Sequence, residues 1–96
     1  MKFIRNNNKA IDFHSSMRHI SEAKKELAKK RAEKIINLLN FEKYLKNNRE
    51  VILHLGIETK KCNAICLRII KLKSNRYKYE ILSCHINEVD YFVKIE

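Results

Sequence analysis

The hydrophobic period of this chain changes once, at Asn47-Asn48. Upstream, from Ser16 or Ser21 to Lys46, Ala, Leu, Lys, Glu and Arg dominate a helical pattern that no Gly or Pro interrupts. Downstream, "VILHLGIE", "RYKYEILSCHI" and "YFVKI" alternate apolar and polar residues, the two-residue period of strands that bury one face. A helical pattern followed by a run of strands belongs to the α+β class. The expected fold is one long N-terminal helix packed on a four-stranded antiparallel meander. It forms a single domain over residues 1–96, with a lead-in at 1–15, the helix at 16–47 and the sheet at 50–96.

Local signals fill in that frame. Ser21 followed by Glu22 supplies an N-cap and a first-turn acid, and Asn47-Asn48 a helix stop. "KFIR" reads as a short strand before the Asn6–Asn8 loop, and "AIDFHSSM" as either a short helix or an irregular lead-in. With no Pro and only Gly56, turns fall to polar clusters such as "KSNR" and "NEVD". Alternation puts Val51, Leu53, Leu55 and Ile57 on one face, against Ile52, His54, Gly56 and Glu58 on the other. It likewise sets Tyr77, Tyr79 and Ile81 against Arg76, Lys78 and Glu80.

"CNAICLRIIKL" is the ambiguous segment. As a helix it would carry a stripe of Cys62, Ile65, Cys66, Ile69 and Ile70; as a central strand it would be apolar on both faces. Its shortness, its flanking turns and the off-stripe Ala64, Leu67 and Leu72 favour the strand. That choice decides the chemistry. Cys62 and Cys66 on a strand lie about 13 Å apart, and adjacent Cys84 and His85 point to opposite faces, so one zinc ion could not be ligated by this set. His14, His19 and His54 show no metal spacing, no C-x-x-C occurs, and one glycine cannot build a phosphate loop. No metal and no cofactor is expected.

Three thiols, an odd number, suit a reducing, cytoplasmic setting. The sequence has no run approaching the ~20 apolar residues of a membrane span, and "MKFIRNNNK" lacks the apolar core of a secretory signal. Neither a membrane association nor a leader is expected.

The formal net charge is +10. Residues 1–35 contribute +6, residues 36–60 +1 and residues 61–96 +3. An excess of this size favours nucleic acid as partner, and an anionic protein surface next. On the helix, Ile20, Leu27, Leu38 and Leu45 form one apolar line, with Ala28, Ile35 and Leu39 beside it; Lys24, Arg31 and Glu42 fall between the lines. The candidate binding residues there are Lys24, Lys25, Lys29, Lys30, Arg31 and Lys34, at mixed angles suited to phosphate contacts. On the sheet they are Arg68, Lys71, Lys73, Arg76 and Lys78, interleaved with Tyr77 and Tyr79, which could stack bases or pack on the helix. Small Ala28 and Ala32 would let a second helix approach, giving a homodimer face.

The function expected is that of a small, non-enzymatic, basic accessory module that binds nucleic acid or a nucleic-acid-handling protein. Its Asn-, Lys- and Ile-rich composition suits a phage or mobile-element protein, including an inhibitor of a host nucleoprotein. In element order, strand, helix and then antiparallel strands, the chain also resembles the RelE-type ribosome-dependent ribonuclease toxins. The resemblance implies catalysis by basic and aromatic side chains on the sheet, here Arg68, Arg76, Tyr79 and His85.

Overall fold

The computed structural model describes residues 14–15, 20–45, 49–59 and 63–93. The expected "KFIR" strand, the Asn6–Asn8 loop, most of "AIDFHSSM", the Asn47-Asn48 stop, Cys62 and the end of "YFVKI" lie outside them. In chain order the elements are β1 (His14–Ser15), α1 (Glu22–Leu38), a single turn α2 (Glu42–Leu45), β2 (Glu50–Glu58), β3 (Asn63–Lys71), β4 (Tyr77–His85) and β5 (Tyr91–Phe92). The class is α+β, with one long helix on a sheet, and "CNAICLRIIKL" is a strand from Asn63 on.

The Ser21 side chain caps α1 by accepting from the Lys24 backbone N–H at 3.2 Å. The helix then stops nine residues before the expected boundary at 47. Leu39 turns to extended geometry (φ −97°, ψ 137°) while its N–H still bonds to the Ile35 carbonyl at 3.0 Å. Nothing in "NLLNFEKYL" breaks helices, so the cause is tertiary. Continued at ~100° per residue, Phe41 would sit about 220° around from buried Ala28, facing solvent. The break lets Phe41 fold into the core, 7% exposed, edge-on to Tyr77 and Tyr79 at 5.1 and 6.3 Å between ring centroids.

The sheet order is β1-β4-β3-β2-β5. Its centre, β2–β3–β4, is the antiparallel meander the alternation implies. The edges correct that expectation. β1 pairs parallel with β4 at Glu80–Ile81, and β5 lies not beside β4 but parallel to β2 at the opposite edge. Asp90 fixes that second edge: its backbone N–H donates to the Ile52 carbonyl at 2.9 Å, and its carboxylate accepts from the Ile52 N–H at 2.8 Å.

The two faces differ. Toward the helix, Val51, Leu53, Ile57, Ile65, Leu67, Ile69 and Ile81 pack against Ala28, Ala32, Ile35 and Ile36. Both alanines have no exposed surface, so the second-helix contact imagined for them is occupied by this sheet. Of the two apolar lines on the helix, the Ala28–Ile35 line enters the core, whereas Leu27 and Leu38 are 39% and 74% exposed. On the other face, buried His54 stacks on Phe92 at 4.3 Å between ring centroids, and Cys66 and Cys84 meet with their sulfurs 3.3 Å apart.

β2 carries an irregularity. His54 pairs with Cys66 and Ile57 with Ile65, so Leu55 and Gly56 have no opposing residue on β3. An insertion of two residues keeps the alternation in phase, and for that reason it leaves no trace in the hydrophobic pattern. Gly56 there adopts φ +76°, where any side chain is strained.

Candidate functional site

The eleven basic residues singled out from sequence do not form one surface. Arg31 reaches across to the bulge in β2, where its Nη1 donates to the Leu55 and Gly56 carbonyls at 2.9 and 3.0 Å. Lys24 Nζ reaches the Glu58 carbonyl at 3.4 Å. Both cations, out of place on an apolar helix face, donate to β2 carbonyls, and Arg31 satisfies the two that the interrupted ladder leaves open. Lys25 is paired with Glu22 at 3.5 Å. Lys29, Lys30 and Lys34 are exposed on the outer side of α1, among Glu26 and Glu33. That side is a mixed-charge face rather than a cationic one.

On the sheet, Arg68 is held by two carboxylates. Its Nε and Nη2 donate to Glu50 at 2.8 and 2.9 Å, and its Nη1 to Glu80 at 3.1 Å. The hydrogen bonds to Glu50, and then the nearby charges of Glu50 and Glu80, hold its guanidinium above the ordinary arginine range despite partial burial. Lys78 adds a contact to Glu80 at 3.6 Å. The clamp has an electrostatic consequence: it engages the two acids nearest the β3–β4 hairpin on this face.

At the hairpin end, Lys71, Lys73 and Arg76 are exposed, and Arg49 is brought among them by the Lys71 N–H, which donates to the Arg49 carbonyl at 2.8 Å. Residues 69–79 contain four cations and no acid. No carboxylate pairs with the exposed side chains of Arg49, Lys71, Lys73 and Arg76 among the described residues. The turn is sharp: Ser74 and Asn75 both take left-handed conformations (φ 64° and 57°), and the Leu72 N–H closes onto the Arg76 carbonyl at 2.8 Å. Arg49 carries no local signal of this role, because the pairing that draws it in spans 22 residues of sequence.

Beside this end lies a cleft of about 420 Å³, opened by the α1–α2 break and lined by residues 36–42 with Tyr77 and Tyr79. Tyr77 and Tyr79 are half-buried on the helix side of β4, so they pack inward as well as line the cleft. Burial, and then the Glu42 carboxylate to which its hydroxyl hydrogen-bonds, push the Tyr77 phenol above its usual range. Exposed Asn37, Leu38 and Asn40 complete the mouth.

No known protein family, curated protein or solved structure matches this chain. The residues implied by the toxin-like layout do not converge. Arg68 and Tyr79 occupy opposite faces of the sheet, while Arg76 and His85 stand at opposite ends of β4, about 30 Å apart at ~3.3 Å per residue. Among the described residues no three His, Cys, Asp or Glu side chains gather as a metal centre requires, and no helix is long and apolar enough to cross a membrane.

The Cys66–Cys84 contact was also missed from sequence, although the hairpin encodes it. Cys66 pairs with Leu82 and Cys84 with Ala64, so the two thiols are diagonal neighbours. Burial, followed by the neighbouring Cys84, pushes the Cys66 thiol well above its ordinary range. It is a packed thiol rather than a nucleophile.

Proposed function

We propose that the protein is a non-enzymatic nucleic-acid-binding module whose β3–β4 hairpin end grips the phosphate backbone. The observation that carries this reading is the cluster of Arg49, Lys71, Lys73 and Arg76, four exposed cations left uncompensated because Arg68 engages Glu50 and Glu80. Cations so placed attract a polyanion by releasing its counterions. Flexible lysines contact phosphates without reading base sequence. The net charge of +10 adds long-range attraction. The exposed Lys29, Lys30 and Lys34 of α1 contribute to that field from among acids.

Charge reversal at the hairpin tests the reading. Lys73→Glu with Arg76→Glu should lower affinity for a DNA or RNA oligonucleotide by at least a hundredfold, whereas Lys29→Glu with Lys30→Glu should lower it by less than tenfold. Equal losses from both pairs would move the contact away from the hairpin. If neither oligonucleotide binds, the reading is wrong, and a discrete partner recovered after nuclease treatment would assign the same charge to an anionic protein surface.

A further inference from the structure

We infer that the preferred ligand is single-stranded nucleic acid, with one unpaired base entering the cleft between the α1–α2 break and Tyr77–Tyr79 while its flanking phosphates lie on the hairpin cations. This rests on the hairpin reading and extends it from charge to strandedness.

Three features of the cleft point to a base. Its wall is aromatic: Tyr77 and Tyr79 are near-parallel (28° between ring planes) and half-exposed, and Phe41 braces both rings edge-on from the core. Any base can stack on such rings, which makes recognition tolerant of sequence. Its mouth carries the exposed side-chain amides of Asn37 and Asn40, donors and acceptors of the kind that pair with base edges. The one lining group charged at neutral pH is acidic, since Glu42 lines the cleft beside Tyr77. A carboxylate there repels phosphate but accepts from an exocyclic amine. The neutral part of a nucleotide therefore fits the cleft, and the anionic part does not.

The hairpin supplies the complementary charge. Arg76 directly precedes Tyr77 in the chain, and Lys73 lies across the same turn, so the cationic and aromatic surfaces adjoin. A phosphate on Arg76 and a base against Tyr77 need only the span of one nucleotide. In a duplex the bases are stacked and paired, and none can reach the cleft without being flipped out. Leu38, 74% exposed at the mouth, has no role in the core and is free to cover an inserted base.

The test uses a ten-nucleotide single strand carrying 2-aminopurine at its centre, in DNA and RNA forms, and the matching duplexes. The full chain should bind the single strands at least tenfold more tightly than the duplexes, with quenching of the 2-aminopurine emission. Leu38→Gln, an exposed site whose neutral replacement leaves the core and the local charge intact, should weaken single-strand binding several-fold and reduce the quenching without changing duplex affinity. Asn37→Ala with Asn40→Ala should act in the same direction. Equal affinity for both forms, with unchanged emission and no effect of Leu38→Gln, would overturn base insertion while leaving phosphate binding at the hairpin intact. Absence of binding to either form would overturn both.

Discussion

Arg31 Nη1 lies 2.9 Å from where a Cβ on Gly56 would stand, and it bonds to the Gly56 carbonyl at 3.0 Å. The one glycine of the chain and the one arginine of its long helix therefore form a single device. The two-residue bulge turns carbonyls toward α1, the guanidinium satisfies them, and the missing side chain leaves it room. Gly56→Ala should cost about 1–3 kcal/mol, partly from the left-handed backbone and partly from displacing the guanidinium. Arg31→Met should cost about 1–2 kcal/mol, chiefly by leaving the part-buried Leu55 carbonyl short of a donor. Urea midpoints of the two single variants and the double variant would show coupling; strict additivity would separate the residues.

The helix break makes Phe41 a core residue, while Leu38, the last residue of α1, stays on the surface. Phe41→Ala should destabilise by about 3–5 kcal/mol, whereas Leu38→Ala should stay within about 0.5 kcal/mol. An uninterrupted helix to residue 47 would expose Phe41, and both substitutions would then stay within about 0.5 kcal/mol. Thermal unfolding of the two variants decides between them.

Two buried groups bound the pH range of stability. Burial lowers the folded-state pKa of His54, outweighing the opposing pull of Glu58, and its Nδ1 accepts from the Gly56 N–H at 2.7 Å as a neutral imidazole must. The unfolded state then binds the proton first, so stability is full above about pH 6.5 and falls as pH drops below it. The Cys66 shift has the opposite direction: its thiol is held protonated in the fold, so stability is full below about pH 8.5 and falls above it. Melting temperatures from about pH 5 to 10 should trace a plateau between those values. His54→Gln should flatten the acid limb alone, and Cys66→Ala the alkaline limb alone.

Arg68 stabilises the sheet and also shapes its field. Its side chain is about a third exposed, so removing it should cost only about 1–2 kcal/mol in stability. Arg68→Ala should nonetheless weaken nucleic-acid binding several-fold, because Glu50 and Glu80 then face the hairpin cations. Arg68→Ala combined with Glu50→Gln and Glu80→Gln should restore it. A direct phosphate contact by Arg68 would instead leave the triple variant as weak as the single one.

Much of the frame was legible because period and capping are local. The Ser21 cap, the strand character of residues 63–71 and the inward Tyr77–Tyr79–Ile81 face all follow from neighbouring residues. So did the oddity of Lys24 and Arg31 on an apolar helix face, though not its cause, which lies 34 and 24 residues away in β2. The misses share a non-local origin. Phe41 breaks the helix for the sake of Tyr77 and Tyr79, and Asp90 draws β5 to the far edge through Ile52. Counting lysines could not show which were already engaged. Arg68 reads as a free cation in sequence because its two carboxylates stand 18 and 12 positions away.

The central claim is that the hairpin end grips phosphates, and the salt dependence of binding measures that directly. Fluorescence anisotropy of a labelled duplex between about 50 and 200 mM salt should give a log–log slope of about −3 to −4, the value for four neutralised phosphates. Lys73→Glu with Arg76→Glu should bring the slope to about −2 or shallower. A slope near zero, or one that these substitutions leave unchanged, would contradict the account.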